Sequence, residues 1–372
     1  MPRTKVWLSL PRIERSLPRI SARRVPFQAF GAGVRMGKRL NLIPVVSYRV
    51  VNRPALFKSA SSKRDPLSRW LCVALALVCV VVGLPGCGGS AAGSGGAGAG
   101  GRLRVVAAEN FWGSIASQLG GSRVVVKSII VNPDTDPHSY EPTASDGVAL
   151  AESQMAIVNG IGYDAWASKL LDANPSGSRA VLNVGNLLGL KEGDNPHQWY
   201  SPGSVRRVID QITADYKRLD PKHSAYFEQQ RAAFESKGLA EYNQLIAAIR
   251  ARYAGVPVGY SESIFQPLGQ ALGLRLLTPY SFAKAIAEGT DVSAADKQTV
   301  DTQAQQRQIK VWVYNSQNAT PDVQRVNALA RAAGIPITTI TETLSPAGAS
   351  FEQWQVAELM SLQHALHQAT GR

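Results

Sequence analysis

Two histidines, each directly after a proline, carry the clearest chemistry in this sequence. His138 lies in Asn132-Pro-Asp-Thr-Asp-Pro-His-Ser-Tyr-Glu-Pro-Thr143, and His197 lies in Asp194-Asn-Pro-His-Gln-Trp-Tyr-Ser-Pro202. Proline fixes its own φ and restricts its neighbour, so an imidazole beside it loses less entropy when it is held as a ligand. A Pro-His pair taken singly is equally a rigid turn whose ring is hydrogen-bonded and has nothing to do with metal. The chain has only five histidines, and these two fall in long loops or on the C-terminal side of predicted strands. Open α/β sheets bind ligands there. His223, His364 and His367 read as solvated helix residues. The last two are three apart, a spacing compatible with a weak metal clip, and are expected at the surface.

Such loops need a scaffold, and the chain from residue 103 supplies an alternation. Short β-rich runs at 103–107, 124–131 and 155–158 are separated by helical patterns at 112–119, 144–152 and 164–171. A second series follows, with strands at 256–260, 275–277, 310–314 and 335–340 and helices at 267–272 and 321–333. Strand, helix, strand points to parallel α/β sheets, hence two lobes. Expected boundaries are 102–220 for the first lobe, 221–254 for a linking helix and 255–372 for the second lobe. Within the link, Phe227, Phe234, Tyr242, Leu245, Ile249 and Tyr253 recur on one face of a helix. At ~1.5 Å per residue, residues 222–253 would span about 48 Å as a strut. Gly238 weakens that helix, Pro221 suits its first turn, and Gly255 with Pro257 ends it. No repeat of fixed period is present.

The formal charge of +13 suggests nucleic acid until it is divided along the chain. Residues 1–69 hold 16 of the 40 Lys and Arg and two of the 27 acidic residues, and the remaining 24 basic and 25 acidic residues leave a net −1. No nucleic-acid partner is therefore expected. Arg64 and Arg69 precede a short apolar run that ends in Leu84-Pro-Gly-Cys87. A basic stretch, an apolar stretch and small residues form a secretory signal. The run is shorter than the ~20 residues a spanning helix needs, although an uncleaved anchor is the alternative. Its end resembles the lipobox of bacterial lipoproteins, which makes residues 1–87 a leader and Cys87 the expected lipid-bearing residue. Either reading places the protein outside the cytoplasm, anchored to the membrane. Residues 1–60 fit no part of such a signal and are expected to derive from an upstream start codon. Residues 88–101 contain only Gly, Ser and Ala, apart from nothing else, and read as a tether. All three cysteines, Cys72, Cys79 and Cys87, precede it, so the globular part has no thiol chemistry.

Four segments together resemble the zinc- and manganese-binding class (cluster A-I) of ABC-importer solute-binding lipoproteins. They are Asp136-Pro-His-Ser-Tyr-Glu-Pro-Thr143, the upstream Val105-Val-Ala-Ala-Glu-Asn-Phe111, Val158-Asn-Gly160 and Asn195-Pro-His-Gln-Trp199. The resemblance runs from about residue 103 to the C-terminus. It implies two Rossmann-like lobes with parallel sheets joined by one long rigid helix, a zinc or manganese ion as cargo, a permease as partner and a monomer. The family's first two ligands fall on His138 and His197. Ser261-Glu-Ser-Ile-Phe265 matches the context of the third, which falls on Glu262. The fourth is usually an aspartate, and Thr339-Ile-Thr-Glu-Thr-Leu344 offers Glu342 instead, with Asp301 and Glu288 as fallback acids.

Two neutral imidazoles and two carboxylates would cancel a 2+ charge in a partly desolvated cleft. Imidazole suits zinc, copper, iron and nickel, while carboxylate shifts preference toward harder ions such as manganese. The metal therefore stays open between zinc and manganese or iron. Two other function classes fit a secreted chain with these residues. A metal-dependent hydrolase needs an open coordination position and a general base, and no His-Glu-x-x-His, nucleophile elbow or Walker loop is present. A surface adhesin on the same scaffold is the other.

Overall fold

A computed structural model describes residues 101–372. The leader, Cys87 and all but the last residue of the 88–101 tether lie outside the described residues. Among the described residues no helix is long and apolar enough to cross a membrane.

The first lobe is built from β1 (Leu103–Glu109), α1 (Asn110–Gly120), β2 (Val124–Ile130), α2 (Ala144–Ala151), β3 (Met155–Val158), α3 (Ala165–Ala173), β4 (Ala180–Asn183), α4 (Val184–Leu188) and α5 (Pro202–Leu219). Its strands pair in the order β2-β1-β3-β4, all parallel. Central parallel strands are covered on both faces and read as unbroken apolar runs. β3, Met-Ala-Ile-Val, is buried at every position, and in β1 only Arg104 reaches solvent. The edge strand β2 instead exposes Val125 and Lys127.

A linking segment follows, α6 (Ser224–Ala233) and α7 (Ala240–Tyr253), and then the second lobe. That lobe comprises β5 (Pro257–Tyr260), α8 (Gln266–Ala271), β6 (Arg275–Leu276), α9 (Tyr280–Ala287), α10 (Ala294–Gln305), β7 (Val311–Asn315), α11 (Pro321–Ala332), β8 (Ile337–Ile340) and α12 (Phe351–Thr370). Its sheet order is β6-β5-β7-β8, again parallel. Both sheets thus reverse direction of winding beside their first strand. In such sheets the crevice at the carboxyl end of the reversal point is where ligands sit.

The alternation read from the sequence misses β4, α4, α5, α9, α10 and α12. β4 is only four residues long, too short for a period to register, and α10 buries only Val300, Gln303 and Ala304. α5 was legible: Ser201 caps it by accepting from Ser204 N, proline opens it, and Val205, Val208, Ile209, Ile212 and Tyr216 form its buried stripe.

The link expected as one helix over 221–254 is helical through most of its length but is not a single α-helix. Pro221–His223 is a 3-10 turn, and Phe234–Gly238 forms a π-helical turn between α6 and α7, with Leu239 N donating to Phe234 O at 2.8 Å. A π turn adds a residue and swings the apolar face around the axis. Before it, Phe227 packs on Tyr216 of α5; beyond it, Tyr242 packs on Phe351 of α12. Gly238 permits the turn, because a Cβ there would lie 2.7 Å from the Phe234 ring.

One hydrophobic core runs from β1 and α1 through Trp199, Tyr200, Ile264 and Phe265 to Phe351 and Trp354. The lobes are therefore packed together and not merely tethered. At the end of β3, Gly160 adopts φ +78°, and a Cβ there would meet Asn183 Oδ1 at 2.3 Å. Its N–H donates to Asp164 Oδ1 at 2.8 Å, which fixes the turn leading to Tyr163. Gly160→Ala is expected to destabilise the protein by more than about 1 kcal/mol, read as a lower urea midpoint with an unchanged slope.

Candidate metal centre

His138 follows β2. Proline 137 is buried beside it, and Pro137 O accepts from Trp166 Nε1 at 3.2 Å. Asp136 closes the turn by accepting from His138 N at 2.9 Å and Ser139 Oγ at 2.8 Å. The imidazole stands edge-on to Tyr163, 4.6 Å between centroids, and its side chain keeps 32% exposure. It is the outermost member of the site.

His197 follows β4 and α4 and is only 1% exposed. Its Nδ1 lies 2.8 Å from Asn195 Oδ1, an acceptor, so Nδ1 carries the proton and Nε2 keeps its lone pair. That Nε2 is buried and has no hydrogen-bond partner among the described residues. A buried ring nitrogen with its lone pair unmet is costly unless something occupies the space in front of it.

The two glutamates face that space from the second lobe. Glu342 follows β8; its Oε1 lies 3.4 Å from His197 Nε2 and 3.9 Å from His138 Nε2. Glu262 follows β5, with Oε1 3.9 Å from His197 Nε2. Donor atoms of His138, His197 and Glu342 all lie within 4.8 Å of one another. On a tetrahedron about 2.1 Å from a zinc ion, donors stand about 3.4 Å apart, so this spacing suits a single ion. Glu262 stands outside that mutual distance.

Each carboxylate has its other oxygen held. Asn315 and Asn318 donate to Glu262 Oε2 at 2.9 and 3.3 Å, and Asn315 also reaches Glu342 Oε2 at 3.4 Å. Tyr163 donates to Glu342 Oε1 at 3.1 Å, and Gln317 Oε1 accepts from the backbone N–H groups of Glu342 and Thr343 at 2.6 and 3.0 Å. Asn195 Nδ2 crosses between the lobes to Ser263 O at 2.8 Å. Sequence reasoning did not single out Asn195, Tyr163, Asn315, Asn318 or Gln317 in these roles. Asn195 lies inside the quoted histidine box and Tyr163 just beyond Val158-Asn-Gly160; the other three carry no pattern.

Asp301 pairs with Arg325 at 3.1 Å, and Glu288 lies at the cleft rim 3.6 Å from Lys284. Neither approaches the cluster as closely as Glu342. His364 and His367 are exposed on α12, and His223 is engaged by Asp220 at 2.6 Å.

Burial is the largest influence on every buried member. It pushes His197 below its ordinary 6.5, against the attraction of Glu342, so the ring is neutral at physiological pH. It pushes Glu262 well above 4.5, and the charge of Glu342 adds to the rise while Asn315 and Asn318 oppose it. Glu342 goes the other way: burial works to raise it, but the imidazole of His197 and the charge of His138 outweigh that and hold it below 4.5. The two carboxyls are thus pushed in opposite directions, Glu262 toward its neutral form and Glu342 toward its ionised form. Deeper still, burial and then the Asp164 charge push the Glu109 carboxyl well above 4.5.

The site opens into two adjoining clefts of about 360 and 380 Å³. Asp134, Asp136, Glu192, Asp194 and Glu288 line them against Lys284, a balance that attracts cations.

The family described as zinc-uptake complex component A, periplasmic (ZnuA), matches residues 105–365. The chain belongs to this family. It is similar to the manganese-binding lipoprotein MntA of Halalkalibacterium halodurans, 25% identical over 213 residues covering 55% of this chain and 68% of the relative. It is also similar to the iron-binding protein YfeA of Yersinia pestis, 27% identical over 47% of this chain and 58% of that one. The zinc-uptake protein ZnuA of Bacillus subtilis is 20% identical over 49% of this chain and 61% of its own length. The chain thus spans somewhat under two thirds of the latter two relatives. The manganese-bound periplasmic metal-binding protein of Candidatus Liberibacter asiaticus shares the fold, with a TM-score of 0.60 at 19% identity, covering 71% of this chain and all of that one. The nickel complex of FpvC from Pseudomonas aeruginosa does so with a TM-score of 0.59 at 20% identity, over 73% and 99%.

Because the folded pKa of Glu262 lies above its unfolded value, the metal-free protein loses stability as pH rises from about 4.5 through that folded pKa. Glu262→Gln is expected to flatten this decline. Thermal midpoints of chelator-treated protein across that range check it, and an unchanged slope would contradict the assignment.

Proposed function

We propose that this chain is an extracytoplasmic solute-binding protein that captures a divalent transition metal, zinc or manganese, and delivers it to the permease of an ABC importer. His138, His197, Glu262 and Glu342 are its ligands. The observation that carries this reading is His197 Nε2: buried, unpartnered, fixed as an acceptor by Asn195, and 3.4 Å from an ionised carboxylate. No described residue meets that lone pair, and a metal ion would.

The ligands come two from each lobe, so one ion would tie the lobes together. His197 is supplied neutral and Glu342 ionised, and Glu262 would ionise as the ion arrives. The resulting set of two imidazoles and two carboxylates balances a 2+ charge and fills a tetrahedral shell without water. A shell closed in this way suits a carrier and not a hydrolase. Imidazole favours zinc and carboxylate favours manganese, and the relatives' names are divided among manganese, zinc and iron. Cys87 is the proposed lipid attachment that holds the protein at the outer face of the membrane, where it works as a monomer.

Calorimetry on the full-length protein tests the assignment. His138→Ala, His197→Ala and Glu342→Ala each weaken zinc or manganese binding by at least about 100-fold, more than loss of an outer partner usually costs. His364→Ala leaves the affinity unchanged. An unaltered affinity in His197→Ala would falsify the ligand set.

Binding must displace the proton of Glu262, so affinity rises with pH until the raised pKa of that group is passed. Proton release measured in two buffers of different ionisation enthalpy follows directly. Wild type releases a proton on binding near neutral pH, and Glu262→Gln releases correspondingly less.

A further inference from the structure

Three residues after His197 and one before Glu342, the chain enters a second polar cluster that does not line the clefts. Tyr200 is fully buried, and its Oη lies 2.6 Å from Glu358 Oε2 on α12 and 2.8 Å from Thr341 O at the end of β8. The other oxygen of the half-buried Glu358, Oε1, accepts from Thr341 N at 2.8 Å, Thr341 Oγ1 at 3.0 Å and Trp354 Nε1 at 2.9 Å. Trp354 Nε1 also reaches Thr341 Oγ1 at 2.8 Å. The first lobe contributes Tyr200, and the second contributes everything else.

Counting protons identifies the state of this cluster. Tyr200 Oη has two oxygen neighbours at hydrogen-bond distance, and both are pure acceptors if Glu358 is ionised. The phenol has one proton. Both short contacts are satisfied together when Glu358 Oε2 carries a proton and donates it to Tyr200, which in turn donates to Thr341 O. Burial acts in the same direction, pushing the Glu358 carboxyl up to about 8 against the hydrogen bonds from Tyr200, Thr341 and Trp354 that pull it down.

We infer that Glu358, as a neutral carboxylic acid, is a positioning residue that locks the His197 segment of one lobe to the Glu342 strand end of the other, and so sets the separation of their metal-facing atoms. The inference rests on the reading of His197 and Glu342 as ligands. Its physical basis is reach: Thr341 is bonded to Glu358 through both backbone and side chain, and adjoins Glu342 directly. Tyr200 ends the short 3-10 turn Gln198–Tyr200 that His197 begins, with Tyr200 N donating to His197 O at 3.2 Å. A shift of this pair would change the 3.4 Å gap between His197 Nε2 and Glu342 Oε1, to which a first-row metal is sensitive. Outer groups that orient ligands typically account for 10–100-fold in metal affinity.

Glutamine reproduces a neutral carboxylic acid at this place. Its carbonyl can accept from Thr341 and Trp354, and its amide can donate to Tyr200. The test uses chelator-stripped full-length protein titrated separately with Zn²⁺ and Mn²⁺, comparing wild type, Glu358→Gln, Glu358→Ala and Tyr200→Phe, with circular dichroism to confirm folding. Glu358→Gln is expected within about threefold of wild type, and Glu358→Ala and Tyr200→Phe are expected 10–100-fold weaker. If Glu358→Ala fails to fold, Glu358→Gln and Tyr200→Phe carry the comparison. Wild-type affinity in Tyr200→Phe and Glu358→Ala overturns the inference and leaves the ligand assignment standing, as does a Glu358→Gln as weak as Glu358→Ala. A wild type that binds neither ion overturns the ligand assignment itself.

Discussion

Two carboxylates buried within reach of two imidazoles, and ion-paired to no lysine or arginine among the described residues, form the constraint around which this molecule is arranged. Leaving both ionised in such a place would be costly. The protein divides the load: Glu342 keeps its charge because the imidazoles favour it, and Glu262 is pushed toward its neutral form chiefly by burial and further by the charge of Glu342. Asn315, Asn318, Gln317 and Tyr163 then supply donors without adding charge. A lysine in any of these places would neutralise the site permanently and remove its affinity for a cation. The neutral donors hold the acids in place while leaving the net charge to be met from outside.

The scaffold meets this constraint by using one arrangement twice. Each sheet has its first strand flanked on one side by the second and on the other by the third and fourth, and the site lies past the carboxyl ends of both. No internal sequence repeat accompanies the duplication. Strand order and crossover handedness follow from twist and layer packing, and many sequences satisfy them. The π turn between α6 and α7 belongs to the same fitting of parts, since it lets one connecting segment present its apolar side first to α5 and then to α12.

Much of this was legible in the sequence, for reasons that differ from residue to residue. β3 was readable as an unbroken apolar run, and the helices after β1 and β7 because their apolar positions keep a period. His138 and His197 were readable because proline beside histidine is a local feature. Glu262 and Glu342 had no such feature and emerged through resemblance alone. The sequence made Glu342 the least secure member, yet it is Glu342 whose oxygen lies closest to both imidazoles. Whether a carboxylate ends up beside an imidazole depends on strand register and loop path across more than 140 residues, which no window contains. Asn315, Gln317 and Glu358 were hidden for that reason too. The interruption at Phe234 had one trace, Gly238, which marks a weak point but not the extra residue.

The shared core has a further meaning for how the protein comes apart. Because Trp199, Phe265, Phe351 and Trp354 belong to one apolar cluster that spans both lobes, neither lobe can melt while the other keeps its packing intact. Unfolding should be a single cooperative event despite the two sheets. An ion held at the junction would then stabilise the entire described region, by an amount set by its concentration relative to its dissociation constant. In the organism, metal supply would accordingly set the lifetime of the carrier against proteolysis, so that a protein starved of its cargo is also the one most readily removed.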